Sequence, residues 1–230
     1  GSALANIGEV ENKGIELLVS GTPVQTENFY WKSSFNISHN KSEIVATNDD
    51  DAEIGLGEPR TRNVEIKQIV GEEFGTIVGV SYVRDDAGNI VYDIDGDGVP
   101  IAQLGPRKIL GVGVPPTQWG WSNTFSFRNW SLFFLIDGKS GGQIFSGTNA
   151  ILTGNGLHKN TVEGREDGLG VTGVDGNGAA FNVVVAPEDL ATYHGRISGI
   201  AEEFVSDADF IKFRQLRVGY DFPRSILEKT

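Results

Sequence analysis

Residues 117–145 read TQWGWSNTFSFRNWSLFFLIDGKSGGQIF. From 119 to 127 the odd positions carry Trp119, Trp121, Asn123, Phe125 and Phe127. The even positions around them carry Gln118, Gly120, Ser122, Thr124, Ser126 and Arg128. Successive side chains of a strand point to opposite faces, so this is a strand with one bulky, mostly aromatic face and one small polar face. Arg128 and Asn129 make a short polar break, and a second apolar run, Trp130 to Ile136, follows at once. Two such runs around a tight break predict a hairpin. Two burial schemes fit it. In a soluble sandwich the bulky face meets a second sheet. In a membrane barrel it meets lipid, and the polar face lines a wet lumen, with aromatics such as Trp119 and Trp130 near the interfaces.

The same alternation recurs on both sides. Upstream, Ile15, Leu17 and Val19 share a face opposite Glu16, Ser20 and Thr22, and Pro23 follows. In FYWKSSFNISHNKSEI, Phe29, Trp31, Phe35 and Ile37 oppose Tyr30, Lys32, Ser34, Asn36, Ser38 and Asn40. Downstream, Leu216, Val218, Tyr220 and Phe222 oppose Gln215, Arg217, Gly219 and Asp221, ahead of Pro223. Each run holds about nine to twelve residues, near the ~9–11 that a tilted strand needs to cross a bilayer. The links between these five strands alternate short and long. Such a plan fits a barrel with short turns on one edge and long excursions on the other.

Composition limits the choices. The chain has 230 residues, 31 acidic against 19 basic, for a net charge of −12, which argues against a nucleic-acid surface. Glycine is frequent, at 31 residues, as turn-rich β structure requires. There is no cysteine, so disulfides, thiolate metal sites and a thiol nucleophile are excluded. No apolar run approaches the ~18–20 residues of a spanning helix, so any membrane crossing is by strands. The first interval, 47–107, holds an acidic stretch at 48–58, β-prone pieces VEIKQIV and GTIVGVSYV, and a turn at 85–89. The second, 146–207, holds a glycine-rich run and a short helical turn at PEDLATYHG, with Pro187 suited to its first position. Intervals of this length are functional or partly structured.

Local chemistry is sparse. Asp93, Asp95 and Asp97 followed by Gly98 match the opening of a calcium loop, in which alternate carboxylates converge on a hard cation. The closing glutamate of that pattern is replaced by Leu104, so a plain acidic turn fits as well. His39, His158 and His194 are not at metal-ligand spacing. No nucleophile elbow stands in the chain, and nothing fixes a carboxylate pair, so no catalytic residue is assigned. Tyr82, Tyr92, Phe181 and Tyr193 lie in the long intervals, where they either stack on sugar rings or pack the intervals together.

Several motifs in series carry a resemblance. VENKGIEL at 10–17, FYW at 29–31, FNISHNK at 35–41, GEEFGTIVGVSY at 71–82, DGDG at 95–98 and SDADFIKFRQLRVGYDFP at 206–223 resemble the SusC/RagA-type TonB-linked outer-membrane transporters. The resemblance covers nearly the whole chain in the right order. It implies an all-β fold of antiparallel strands belonging to a transmembrane β-barrel, here about five strands with long extracellular loops, from a plugged barrel of about twenty-two. Residues 1–230 are then expected to be part of such a barrel, with the plug domain and the final strands absent. The implied activity is import of oligosaccharides, or of peptides in some members, across the outer membrane of Bacteroidota-type bacteria. A SusD-like surface lipoprotein and TonB are the implied protein partners, and outer-membrane lipid the surroundings. The other reading is a soluble extracellular β-sandwich that binds glycans; a carbohydrate-active enzyme is a third.

Overall fold

A computed structural model of the chain describes residues 8–48, 50–56 and 63–223; the acidic stretch at 48–58 falls partly outside them. In chain order, β1 (Glu9–Gln25) and β2 (Phe29–Ala46) come first. β3 (Ile54–Gly55), β4 (Val64–Gln68), β5 (Thr76–Tyr82), β6 (Val91–Ile94), β7 (Pro100–Ala102) and β8 (Leu104–Val112) follow. β9 (Thr117–Phe127) and β10 (Trp130–Ser140) form the central hairpin. Then come β11 (Gln143–Phe145), α1 (Gly147–Gly154), β12 (Leu169–Asp175), β13 (Ala180–Val185), α2 (Leu190–Ile197), β14 (Val205–Asp207) and β15 (Phe210–Tyr220). The chain divides into two compact units.

One unit is a five-stranded sheet in the order β1-β2-β9-β10-β15. Its strands are the five that the alternation predicts. β1 and β2, at 17 and 18 residues, run longer than the bulky rows they carry, while β9, β10 and β15 have 11 each. Register builds the faces row by row. Phe29, Phe127, Trp130 and Tyr220 stand side by side across four strands. The next bulky rows are Trp31–Phe125–Leu132–Val218, Ser33–Asn123–Phe134–Leu216, Phe35–Trp121–Ile136–Phe213 and Ile37–Trp119–Gly138–Ile211. Between them lie polar rows such as Lys32–Thr124–Phe133–Arg217. Rings stack within and between rows. Trp31 meets Phe125 of its own row at 5.7 Å, and diagonally Phe125 meets Phe134 at 6.1 Å and Phe134 meets Phe213 at 6.2 Å. Such pairs contribute about 0.5–1.5 kcal/mol each beyond area burial.

Two local devices shape the sheet. The β9–β10 turn holds Arg128 in the left-handed region, at φ 51°, which is uncommon for a residue with a side chain. Asn129 beside it donates to the Asp221 carbonyl at 2.8 Å and accepts from the Asp221 amide at 2.8 Å, tying the turn to the end of β15. The β10–β15 register shifts between Leu135 and Ile136, which pair with Gln215 and Phe213 and leave Arg214 as the extra residue of a bulge. That residue makes a two-pronged ion pair with Asp137, Nε to Oδ2 at 2.8 Å and Nη2 to Oδ1 at 3.0 Å. The alternation did not announce this bulge, because one extra residue leaves each half of the pattern intact.

The other unit comprises 8–9, 44–48, 50–56, 63–113 and 143–206 in its described part. The long intervals, read as loops with β-prone pieces, carry their own sheets: β13-β12-β6-β7, β3-β4-β5-β8 and the pair β11-β14. β6 and β12 run parallel, with Val91 opposite Val174. Its hydrophobic core gathers Tyr82, Tyr92, Val185, Leu190, Ile200 and Phe204 among others. Both buried clusters found among the described residues lie in this unit, and none lies on the five-stranded sheet. Glu202 fastens a 3-10 turn (Ala201–Phe204) to this core's sheets. It accepts from the Tyr82 amide at 3.0 Å and pairs with Arg84 and Lys108, both at 3.1 Å. Burial alone would raise its carboxyl, but these three partners bring it below the usual range.

Gly138 lies under Trp119, and a Cβ there would come within 2.6 Å of the indole. Gly138→Ala is expected to displace the ring and to destabilise the sheet by about 1–3 kcal/mol, read as a lower melting temperature by tryptophan fluorescence. Gly21→Ala, where a Cβ meets nothing within 4 Å, is the control and is expected to change little.

Candidate functional site

The five-stranded sheet presents two chemically distinct surfaces. On the bulky face, large apolar side chains stand in the open: Trp130 is 55% exposed, Phe213 60%, Val218 60% and Ile211 74%. A sandwich core would bury these positions. The face contains one polar row, and the side-chain oxygens of Ser33 and Asn123 in it are answered from within the face. Trp31 donates its indole N–H to Asn123 Oδ1 at 3.0 Å, and Trp121 donates to Ser33 Oγ at 2.9 Å. Asn123 is 1% exposed, and its Nδ2 has no partner among the described residues. Two indoles thus screen the polar spot, and the rings around it leave a continuous apolar surface.

The dimensions of that surface are informative. Phe29 and Ile37 mark its ends, roughly 27 Å apart along a strand at about 3.4 Å per residue. At the ~40° tilt usual in membrane barrels this is roughly 21 Å of height, close to the ~25 Å apolar band such barrels carry. An all-aromatic row, Phe29–Phe127–Trp130–Tyr220, closes one end, with Trp130 and Tyr220 at 4.7 Å. Past the other end the row becomes polar, where His39 shares a hydrogen bond with Thr117 at 2.8 Å. Aromatic girdles occupy that boundary because a ring tolerates both hydrocarbon and headgroup.

The opposite face is small and hydrophilic. Its rows are Tyr30–Ser126–Ser131–Gly219, Lys32–Thr124–Phe133–Arg217, Ser34–Ser122–Leu135–Gln215, Asn36–Gly120–Asp137–Lys212 and Ser38–Gln118–Lys139–Phe210. A concavity of about 310 Å³ opens on it, lined by Ser20, Lys32, Ser34, Ser122, Thr124 and Phe133. Three cations lie over rings: Arg217 is 5.0 Å from the Phe133 centroid, and Lys212 and Arg214 are 4.4 and 5.9 Å from that of Phe210.

The residues singled out in the long intervals take other roles. Asp95 Oδ1 accepts from the amides of Asp97 and Val99 at 3.0 and 2.8 Å, and its Oδ2 pairs with Arg196 at 2.6 Å. Asp93 accepts from Gln103 at 2.7 Å. The structure does not gather Asp93, Asp95 and Asp97 into a metal-holding group, and no such group of three occurs among the described residues. The same turn is built twice more. Asp85 Oδ1 accepts from Ala87 and Asn89, and Asp175 Oδ1 from Asn177 and Ala179. In each, a glycine three residues on has positive φ: 86° at Gly88, 82° at Gly98 and 81° at Gly178. Asp-x-x-Gly between strands is the signal, a type I turn closed by a left-handed glycine.

All three carboxyls sit below the ordinary range. For Asp95 the Arg196 guanidinium is the main cause, for Asp85 the Asn89 side chain, and for Asp175 the Ala179 amide. Tyr82 and Tyr92 are buried, with Phe181 and Tyr193 packed on the same core, so these rings pack the intervals together. Burial pushes the phenols of Tyr82, Tyr92 and Tyr193 up. His194 is buried with Nε2 unpartnered, and burial followed by the Arg165 charge keeps its pKa low. His158 caps a 3-10 turn through the Asn160 amide. A further opening of about 470 Å³ is lined by Arg84, Asn89, Thr172 and Phe181 among others. Arg84 there is already held by the Gly88 carbonyl and Glu202.

Comparison with known proteins agrees with the sheet. No family model matches the chain. It is 26% identical, over 100% of its length, to TonB-dependent receptor P3 of Formosa agariphila, covering 23% of that protein. A second receptor of that organism, P26, is 30% identical over 63% of this chain and 16% of its own length. The TonB-dependent receptor SusC of Bacteroides thetaiotaomicron is 23% identical over 94% of this chain and 21% of its own length. Among solved structures, the RagAB peptide transporter superposes with a TM-score of 0.59 at 18% identity, covering 98% of this chain and 24% of that one. The RagAB peptide importer in its open-open state gives 0.62. These relatives are receptors and transporters, not enzymes, and they support a SusC/RagA-type receptor. The chain spans about a quarter or less of their length.

Two tests address the acidic turns. A carboxyl held below its unfolded value of about 3.9 adds stability above that pH and loses it as pH falls through the depressed folded value. Melting temperature is therefore expected to drop below about pH 4, and Asp95→Asn, which keeps the turn acceptor, is expected to make the drop shallower; equal slopes would remove Asp95 from the effect. Calcium at millimolar concentration is expected to leave the melting temperature in place, because Arg196 already neutralises Asp95. A rise would restore the calcium loop.

Proposed function

We propose that this segment of a SusC/RagA-type TonB-dependent receptor forms part of the wall of an outer-membrane nutrient importer. Its bulky face meets lipid and its polar face lines the lumen. The supporting observation is the set of in-register rows. Aromatic and aliphatic side chains, half-buried or exposed, run across four strands, end in an all-aromatic row, and alternate with small hydrophilic rows. A soluble glycan-binding sandwich requires a second sheet against those rings, and their exposure speaks against it.

In the whole receptor, import of an oligosaccharide or a peptide would draw energy through TonB, and a SusD-like surface lipoprotein would close over the outer side. This segment's share is passive. It supplies a hydrophobic outer wall and a hydrophilic inner one, and its long excursions carry folded structure of their own. The two tight ends, at 25–29 and 127–130, are then the periplasmic turns, and the four points where the chain leaves or rejoins the sheet lie on the opposite, extracellular edge.

Single cysteines test the assignment in a cysteine-free version of the full-length receptor, assembled in outer membranes. Cysteine at Leu132, Phe134 or Val218 is expected to resist a membrane-impermeant maleimide and to be reached by a lipid-soluble one. Cysteine at Ser131, Thr124 or Ser122 is expected to show at least tenfold faster aqueous labelling, as roughly a full burial difference implies. Equal aqueous labelling on both faces would end the wall assignment.

A further inference from the structure

The polar face is basic in a chain that is acidic. Its described residues on β2, β9, β10 and β15 include Lys32, Lys139, Lys212, Arg214 and Arg217, against Asp137 alone. Even with Glu16 of β1 added by alternation, the cations outnumber the carboxylates, although the chain as a whole carries −12. Arg214 is spent on Asp137. Lys32, Lys139, Lys212 and Arg217 have no carboxylate at ion-pair distance among the described residues. Clustered like charges repel and destabilise the state that holds them, so an arrangement of this kind fits a surface that receives an anion.

One row of this face is built for more than charge. Lys32, Thr124, Phe133 and Arg217 stand side by side on four neighbouring strands. At about 4.8 Å per strand the two cations sit roughly 14 Å apart at the backbone. The 310 Å³ concavity reaches from Ser20, beyond Lys32, to Phe133, the neighbour of Arg217, and is at the small end of the ~300–1,000 Å³ range of ligand pockets. Four hydroxyls line it, from Ser20, Ser34, Ser122 and Thr124, with one ring, Phe133. Hydroxyls at several angles around one aromatic platform suit a sugar ring, whose equatorial hydroxyls hydrogen-bond while its C–H face packs on the arene. An acidic peptide would gain less from that hydroxyl set. Arg217, 5.0 Å over Phe133, extends the platform with a guanidinium that pairs flat anions two-pronged.

We propose that this row is a subsite for anionic oligosaccharide: a sugar bearing carboxylate or sulfate groups, its ring on Phe133, its hydroxyls on the serines and threonine, and its charges on Lys32 and Arg217. The subsite rests on the reading of the polar face as lumen wall.

Its test uses the purified full-length receptor in detergent, with binding measured by calorimetry. The probes are a uronate tetrasaccharide, a sulfated galactose tetrasaccharide, a neutral glucose tetrasaccharide and an acidic hexapeptide. One or both charged sugars are expected to bind more tightly than the neutral one, with an affinity that falls as salt rises. Lys32→Gln and Arg217→Gln are each expected to weaken the charged sugar about tenfold, as loss of a charged hydrogen bond does, and to leave the neutral sugar unchanged; Lys32→Arg is expected to restore binding. Charged and neutral sugars binding alike, preference for the peptide, no binding by either charged sugar, or variants that bind as the parent does would each overturn the subsite. Labelling of the cysteines at Ser122 and Thr124 separates the two levels. If they react from water while the sugars fail, the wall stands and the subsite falls; if they do not, the lumen assignment itself fails.

Discussion

Register is the constraint on which the rest of this structure depends. Four strands, β2, β9, β10 and β15, pair so that each bulky residue stands beside another bulky one. Because side chains alternate with a period of two, sliding any strand by one residue would bring Lys32 or Ser122 to the aromatic surface and turn Phe125 or Trp31 to the hydrophilic one. The stacked rings oppose that slip, each pair weakly and all of them together. The bulge at Arg214 shows how firmly the pattern is kept. One extra residue enters β15, and instead of inverting the rest of the strand it is absorbed locally, its side chain held by Asp137.

The second unit is held by other means. Its strands are short, and its stability comes from a buried core and from turns that close on themselves through aspartate side chains. Glu202 adds a point where a backbone amide, an arginine and a lysine converge on one carboxylate. A partly shielded carboxylate with three partners offsets its desolvation better than an isolated pair would. The contrast between the units is the one that the proposed surroundings would require. A chain segment in water must carry its own apolar interior, whereas a sheet in lipid can leave its large side chains uncovered.

Much of the sheet was legible in residue order, since alternation reports directly on which face a side chain takes. Trp119 to Phe127 and Phe29 to Ile37 could be assigned to faces before any contact was known. The sheets of the second unit were less legible. Their strands have three to nine residues in most cases, and pairings such as β6 with β12 join segments some eighty positions apart, which local periodicity cannot reveal. Asp93, Asp95 and Asp97 left two readings open for a related reason. The spacing of a calcium loop and the spacing of an Asp-x-x-Gly turn overlap at Asp95 and Gly98, and only Arg196, a hundred residues away in sequence, shows what the second oxygen of Asp95 binds. Alternation alone also gave no partners for Ser33 and Asn123 in their bulky row; each is answered by an indole N–H from the neighbouring strand.

The chain leaves and re-enters its five-stranded sheet always at the end opposite the tight turns, between 43 and 44, 113 and 114, 142 and 143, and 206 and 207. Closing a longer excursion adds little entropic penalty, on the order of 0.6 kcal/mol for each doubling. An insertion at the surface of either excursion would therefore leave the matching of the strands undisturbed. The short ends at 25–29 and 127–130 have less latitude, since a residue gained there must be taken up in the turn or in a bulge for the two faces beyond it to be kept. Tolerance of length change and fixity of register thus fall at opposite edges of a single sheet.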